Sequence, residues 1–179
     1  MLDDTDAELV LRYRGGDRHA FDALMVRHSK RVFSVAFRVL NNREDAFDVT
    51  QTAFLKAYQH LGQYDVTQSF SPWLCRIAVN EALDRIRTQH AMQVLDDAIV
   101  DGHVGPVDLA IREQDDVALQ NALMQLPADY RAIIVLKHLQ GCSYEELAQI
   151  LGCPVKTVKS RLFTARQALR AVLVPKAGD

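Results

Sequence analysis

Apolar side chains recur at three- and four-residue spacing along almost the whole of this chain. That period puts them on one face of an α-helix, and it excludes most other folds. Alternating Val, Ile and Thr runs are scarce, Asn-Gly hairpin turns are absent, and only five prolines interrupt 179 residues. A length of 179 residues suits one ordinary domain or two small ones. With 49% hydrophobic and 25% charged residues, the balance is that of a globular chain rather than a disordered or collagen-like one. No apolar run approaches the roughly 20 residues of a membrane helix. The first residues, Met1-Leu2-Asp3-Asp4, are acidic where a secretory leader is basic and then apolar. Three cysteines, an odd count with no CxxC pair, give no disulfide framework. A cytoplasmic protein with reduced thiols, and no membrane insertion of its own, is the expectation.

Local signals divide the chain. Thr5 and Glu8 form a capping box that opens a first helix, which stops at Gly15-Gly16. A second helix is expected over 18–40, ending at Asn41-Asn42, and a third over 43–61 with Gly62 as its stop. A polar loop over 63–71 carries Tyr64 and Phe70. Ser71-Pro72 then reads as the N-cap and first-turn proline of a fourth helix reaching about residue 89. Over 91–111 the period fails, and Gly102, Gly105 and Pro106 mix with Asp96, Asp97, Asp101 and Asp108. That stretch reads as a linker. A second helical block, 112–174, is broken at Leu126-Pro127, Gly141 and Gly152. The expected fold is all-α: two small helical domains, 1–90 and 112–179, joined by an acidic flexible linker over 91–111.

The net charge of −2 hides a strong asymmetry. Residues 147–178 hold six Lys or Arg and no acid, while 93–116 hold seven acids and one base, Arg112. Within the basic end, Ser143-Tyr144-Glu145-Glu146 is a capping box, Gly152 is a helix stop, and Cys153-Pro154 opens a longer helix. A short helix, a tight glycine turn and a second helix are the parts of a DNA-binding helix-turn-helix. Val155, Val158, Leu162, Ala165, Leu169 and Val172 share one stripe of the second helix. The other side carries Lys156, Lys159, Ser160, Phe163, Arg166, Gln167 and Arg170. An exposed phenylalanine can meet a thymine methyl, and the polar side chains can reach base edges. Arg161, on the flank, is placed to neutralise phosphate.

In the first block, Asp48, Gln51, Thr52, Leu55 and Gln59 share one face of the third helix, a leucine among carboxylates and amides that suits a partner. Phe47, Phe54, Tyr58 and Leu61 are expected to face the core. On the fourth helix Arg76, Asn80 and Arg87 align, with Trp73 and Asp84 at the edge. Arginine, asparagine and an aromatic beside a polar loop can hold unstacked bases.

Taken together these pieces resemble a bacterial RNA polymerase sigma factor of the extracytoplasmic-function group, over nearly the whole chain. Gly16-Asp17-Arg18-His19-Ala20-Phe21-Asp22-Ala23-Leu24 is similar to the family's opening helices. Glu44-Asp45-Ala46-Phe47-Asp48-Val49-Thr50-Gln51, continuing through Phe54-Leu55-Lys56-Ala57-Tyr58, resembles region 2.2. Trp73-Leu74-Cys75-Arg76-Ile77-Ala78-Val79-Asn80 resembles the promoter-melting stretch. Leu126-Pro127-Ala128-Asp129-Tyr130-Arg131 and Thr157-Val158-Lys159-Ser160-Arg161-Leu162 resemble region 4.

The resemblance implies roles. Asp45, Asp48, Gln51, Thr52 and Leu55 would face the β′ clamp of core RNA polymerase, with Thr52 standing where the family often has an acid. The loop with Tyr64, Phe70 and Ser71 would cup a flipped base of the −10 element, beside Arg76, Asn80 and Arg87. Lys156, Thr157, Lys159, Ser160, Arg161, Phe163 and Arg166 would engage the −35 element. Core polymerase (β′ clamp and β flap), promoter DNA and an anti-sigma factor are the implied partners, and the acidic linker would thread toward the polymerase cleft. Thr164 stands where arginine is common, and Arg87-Thr88-Gln89-His90 is less basic than usual. Promoter reading is therefore expected only within holoenzyme.

No enzyme, cofactor or metal centre is expected. The six histidines are scattered, and neither a phosphate-binding glycine loop nor a G-x-S-x-G elbow is present. Two other readings compete: a sigma-like decoy that titrates an anti-sigma factor, and a stand-alone helix-turn-helix regulator. A decoy has no need of Asn80, Lys159, Ser160 and Arg166, and a lone regulator has no use for the region 2.2 face.

Overall fold

A computed structural model describes residues 4–95 and 114–173, and all regular structure among them is helical. The helix ends follow from local chemistry. Helix α1 (Asp6–Arg14) starts at the Thr5–Glu8 capping box. Helix α2 (His19–Leu40) ends where Asn41 takes the left-handed conformation at φ 55°, a geometry asparagine tolerates. Helix α3 (Arg43–His60) is capped by the Asn42 side chain, which accepts from the Asp45 amide at 3.1 Å. A 3-10 turn, Leu61–Gln63, leads into the loop before α4 (Phe70–Leu95). The second block comprises α5 (Gln114–Met124), α6 (Ala128–Ile134), a π-helical turn (Val135–Leu139), α7 (Tyr144–Leu151) and α8 (Val155–Leu173).

Three boundaries differ from the sequence reading. Helix α4 starts at Phe70, so Ser71 and Pro72 lie inside its first turn, where the missing proline N–H has no helical acceptor anyway. The same helix runs to Leu95, so residues 91–95 are helical rather than linker. The acidic stretch 96–111 lies outside the described residues. Helix α8 begins at Val155, with the Pro154 carbonyl accepting from the Val158 amide at 3.1 Å.

Two apolar clusters hold the molecule together. One gathers Leu9, Val10, Leu24, Phe54, Leu61, Tyr64, Phe70 and Leu74 from α1 to α4. The other runs without a break from Val35, Phe37, Val79 and Leu83 into Leu123, Leu136, Leu147 and Leu162. The halves before and after the acidic stretch therefore pack face to face, with α4 set against α2, α3 and α7. Each fully buried leucine of this kind stabilises the fold by about 1.5–3 kcal/mol relative to exposure.

Polar side chains pin the same joint. Arg31 donates to the Gln140 carbonyl at 3.1 Å, Gln140 to Ser34 Oγ at 3.3 Å, and Gln120 to the Arg38 carbonyl at 3.3 Å. Arg131 is buried, yet its guanidinium donates to the carbonyls of Leu123 (3.0 Å), Met124 (3.3 Å) and Leu126 (3.1 Å), and to Val39 across the joint. Five donors in a rigid fork can satisfy that many acceptors at once, and helix C-terminal carbonyls favour a cation. Burial alone lowers the proton affinity of Arg131, which nonetheless stays far above neutrality as for any guanidinium.

Candidate nucleic-acid interface

Helix α8 buries one stripe and shows the other to solvent. Val158, Leu162 and Ala165 are buried, with Val155, Leu169 and Val172 half-buried beside them. Lys156, Lys159, Ser160, Arg161, Phe163 and Arg166 are exposed, and Thr157 is half-buried at the margin. Phe163 is 64% exposed among cations. The turn before α8 is fixed by the Ser143–Glu146 capping box and by Gly152, whose φ of 60° suits glycine. Lys159 and Lys137 both lie over the Tyr144 ring, with Nζ 5.4 and 4.5 Å from its centre, so α7 steadies the edge of the recognition face. Ser160 donates to the Thr157 carbonyl at 3.0 Å, leaving its oxygen free to accept from a base.

The α4 set divides. Arg76, Asn80 and Arg87 are exposed along one side, and Arg87 pairs with Asp84 at 3.0 Å. Arg76 lies against the helix-turn-helix, its Nη2 only 3.4 Å from where a Cβ on Gly152 would stand. Tyr64 and Phe70, expected to face a flipped base, are instead core residues, 5% and 2% exposed. Their rings pack at 5.6 Å from one another, and that of half-buried Trp73 sits 4.8 Å from Tyr64. Burial, with Asp6 and Asp65 nearby, pushes the Tyr64 phenol up to about 12, and it donates to the Gln68 carbonyl. Arg14 of α1 grips the loop through the Leu61 carbonyl at 3.1 Å, and Asp65 closes a turn onto the Thr67 amide at 3.0 Å. These aromatics shape the loop and leave Arg76 and Asn80 as its outward groups. Ser71 is half-buried.

Helix α3 presents a broader apolar face than its sequence suggests. Asp48, Gln51 and Leu55 are exposed and Thr52 is half-buried. Phe47, expected in the core, is 55% exposed, as is Leu55 at 58%, while Tyr58 is partly exposed with its ring edge-on to Tyr13 and Phe21 at 5.5 and 5.2 Å. The buried side carries Ala46, Val49, Thr50, Ala53, Phe54 and Ala57, so Phe54 is core as expected. Asp45 is largely spoken for, ion-paired with Arg85 and accepting from Gln89 at 3.0 Å, whereas Asp48 touches Arg85 at 3.2 Å and stays open.

One further surface was not foreseen. Leu119, Leu123, Ile134, Leu139, Leu169 and Leu173 line an apolar groove of about 400 Å³, with His138, Arg166 and Arg170 on its walls. Its signal in the sequence is faint, because the apolar residues come from four separate elements. Cys75 and Cys142 are buried and Cys153 is half-buried, and burial pushes the Cys75 thiol up to about 11. Among the described residues no group of His, Cys, Asp and Glu could hold a metal, and no helix is long and apolar enough to cross a membrane.

Comparison with known proteins fits this geometry. Residues 24–91 match the family model for Sigma-70 region 2, and residues 116–169 that for Sigma-70, region 4. The RNA polymerase sigma-H factor of Pseudomonas aeruginosa is 31% identical, covering 98% of this chain and 97% of that protein. The ECF RNA polymerase sigma factor SigW of Bacillus subtilis is 33% identical, over 92% of this chain and 94% of its own length. A co-crystal structure of the sigma factor RpoE with the anti-sigma factor NepR, from Bartonella quintana, matches with a TM-score of 0.71 at 26% identity, covering 87% of this chain and 98% of that one. With both regions in order and relatives matched along nearly their whole length, the chain belongs to the extracytoplasmic-function group of the sigma-70 family of RNA polymerase sigma factors.

Proposed function

We propose that this sigma factor binds core RNA polymerase and directs it to promoters by reading −10 and −35 elements, under the control of an anti-sigma factor. The observation that carries the reading is α8: an exposed face of Lys156, Lys159, Ser160 and Phe163 on a helix without a single acid. That face enters the −35 major groove, with Arg161 and Arg166 at its edges. Asn80 and Arg76 of α4 meet the −10 element, and residues 1–90 and 112–179 act as the two reading domains. Asp48, Gln51, Leu55, Phe47 and Tyr58 form the face for the β′ clamp, and the apolar groove beside α8 receives the β flap. Control by an anti-sigma factor is supported by the matched complex of RpoE with NepR.

Run-off transcription with purified core polymerase on a fragmented genomic library tests this directly. New start sites that share two spaced upstream motifs are expected. No new starts, with polymerase shown active alongside another sigma factor, would overturn the reading in favour of a decoy.

A further inference from the structure

Arg166 is held by one bond. Its Nε donates to His138 Nε2 at 3.1 Å, from α8 to the π-helical turn that ends α6. An arginine N–H can only donate, so His138 must accept, which requires a neutral imidazole with its proton on Nδ1. Anchoring a guanidinium through Nε sets the plane of the group. The paired Nη atoms, which have no partner among the described residues, then point away as a fork, and a fork of known orientation recognises a base edge or phosphate bidentately. His138 lies within the π turn and on the same groove wall as Arg166 of α8.

We propose that His138 is a positioning residue for promoter recognition: its neutral imidazole orients the Arg166 fork, so discrimination at the −35 element is lost when His138 takes a proton. The inference rests on the proposed −35 role of Arg166. The surroundings agree with it. Arg166 touches the imidazole, and Lys137 is its chain neighbour with its ammonium turned to the Cys142 carbonyl. The groove they border is lined further by Arg170 of α8 and by Leu119 and Leu123 of α5, with no acid. Partial burial, then Arg166 and Lys137, hold His138 below the usual histidine range, so the acceptor form persists at neutral pH. Protonation removes the acceptor and sets two cations against each other.

The test uses holoenzyme assembled from purified core polymerase and each full-length variant. Binding is measured on two promoter fragments, one with the matching −35 element and one with it scrambled. The readout is the ratio of the two affinities from about pH 8 to about pH 5.5 at fixed salt. Taking the ratio cancels the pH response of the polymerase and the extra phosphate attraction of a charged histidine. Wild type should show a several-fold ratio that falls toward the low end of that range. His138→Gln, whose amide oxygen accepts at any pH, should keep the ratio and lose the pH dependence. His138→Leu should give a low, flat ratio, and Arg166→Ala should do the same.

A normal ratio in Arg166→Ala would overturn the −35 role of Arg166 itself. A low ratio there, combined with an unchanged pH profile in His138→Gln, would overturn the role of His138 alone. Should His138→Leu fail to fold, the wild-type and His138→Gln profiles decide the matter between them.

Discussion

Helices α4 and α8 look alike in the sequence: each carries aromatic, cationic and amide side chains at helical spacing, and each is a candidate reader of DNA. Their surroundings separate them. Helix α8 lies on the surface with a single buried stripe, so nearly every polar residue on it is exposed. Helix α4 is wedged between α2, α3 and α7 along its first four turns, where only a narrow strip remains outside. The same residue type therefore does opposite work in the two places. Phe70 is core at the start of α4, while Phe163 is surface in the middle of α8. What a side chain can read depends on how many neighbours its helix has.

That contrast can be broken by substitution. Phe70→Ala should cost about 3–5 kcal/mol in a urea unfolding experiment, the usual range for a deleted core aromatic. A smaller loss would mean that the loop does not depend on its aromatic packing. Next in size, Asp48→Arg combined with Leu55→Ala should weaken core polymerase binding by about 100-fold or more, a loss of about 2.7 kcal/mol. Its helical circular dichroism should remain normal, and an unchanged core affinity would remove α3 from the interface. Lys156→Ala should flatten the salt dependence of promoter binding. With five or so phosphate contacts the log–log slope starts near about −4 to −5, and each lost contact lowers it by about 0.9. Smallest in stability is Phe163→Ala, expected within about 0.5 kcal/mol of wild type. The same variant should change −35 preference while sparing −10 selection. Equal loss on every −35 sequence would show that Phe163 carries no base information.

Much of the fold is legible along the chain because helix ends are local events. The capping boxes at Thr5 and Ser143 and the stop at Gly152 stand where the residues announce them, and so does the buried stripe of α8. Helix α3 is harder, because apolar residues fall on more than one of its sides. Tertiary packing decides between them: Ala46, Ala53, Phe54 and Ala57 are buried, Phe47 is left outside, and Tyr58 is covered on one side by Tyr13 and Phe21. A hydrophobicity count cannot separate buried Phe54 from exposed Phe47. Tyr64 and Phe70 mislead for the opposite reason, since polar neighbours in the loop disguise a buried aromatic cluster. The shared core and the carbonyls gathered by Arg131 join residues about ninety positions apart (Arg131 reaches Val39, 92 residues away), and no periodicity reports on such a pairing.

The packing of α4 on α7 also poses a problem of reach. On the proposed reading, the two promoter elements are centred about 25 base pairs apart, which is about 85 Å along B-form DNA. A chain of 179 residues folded into one body has a radius of gyration of only about 16 Å. Residues 96–113 can bridge at most about 60 Å when drawn out, and the widths of the two halves supply the remainder. On that reading, the arrangement in which Arg76 lies beside Gly152 would be too short to span both elements. Engaging both elements would then part that contact, and the number of residues between the halves would act as a ruler for the spacing of the elements.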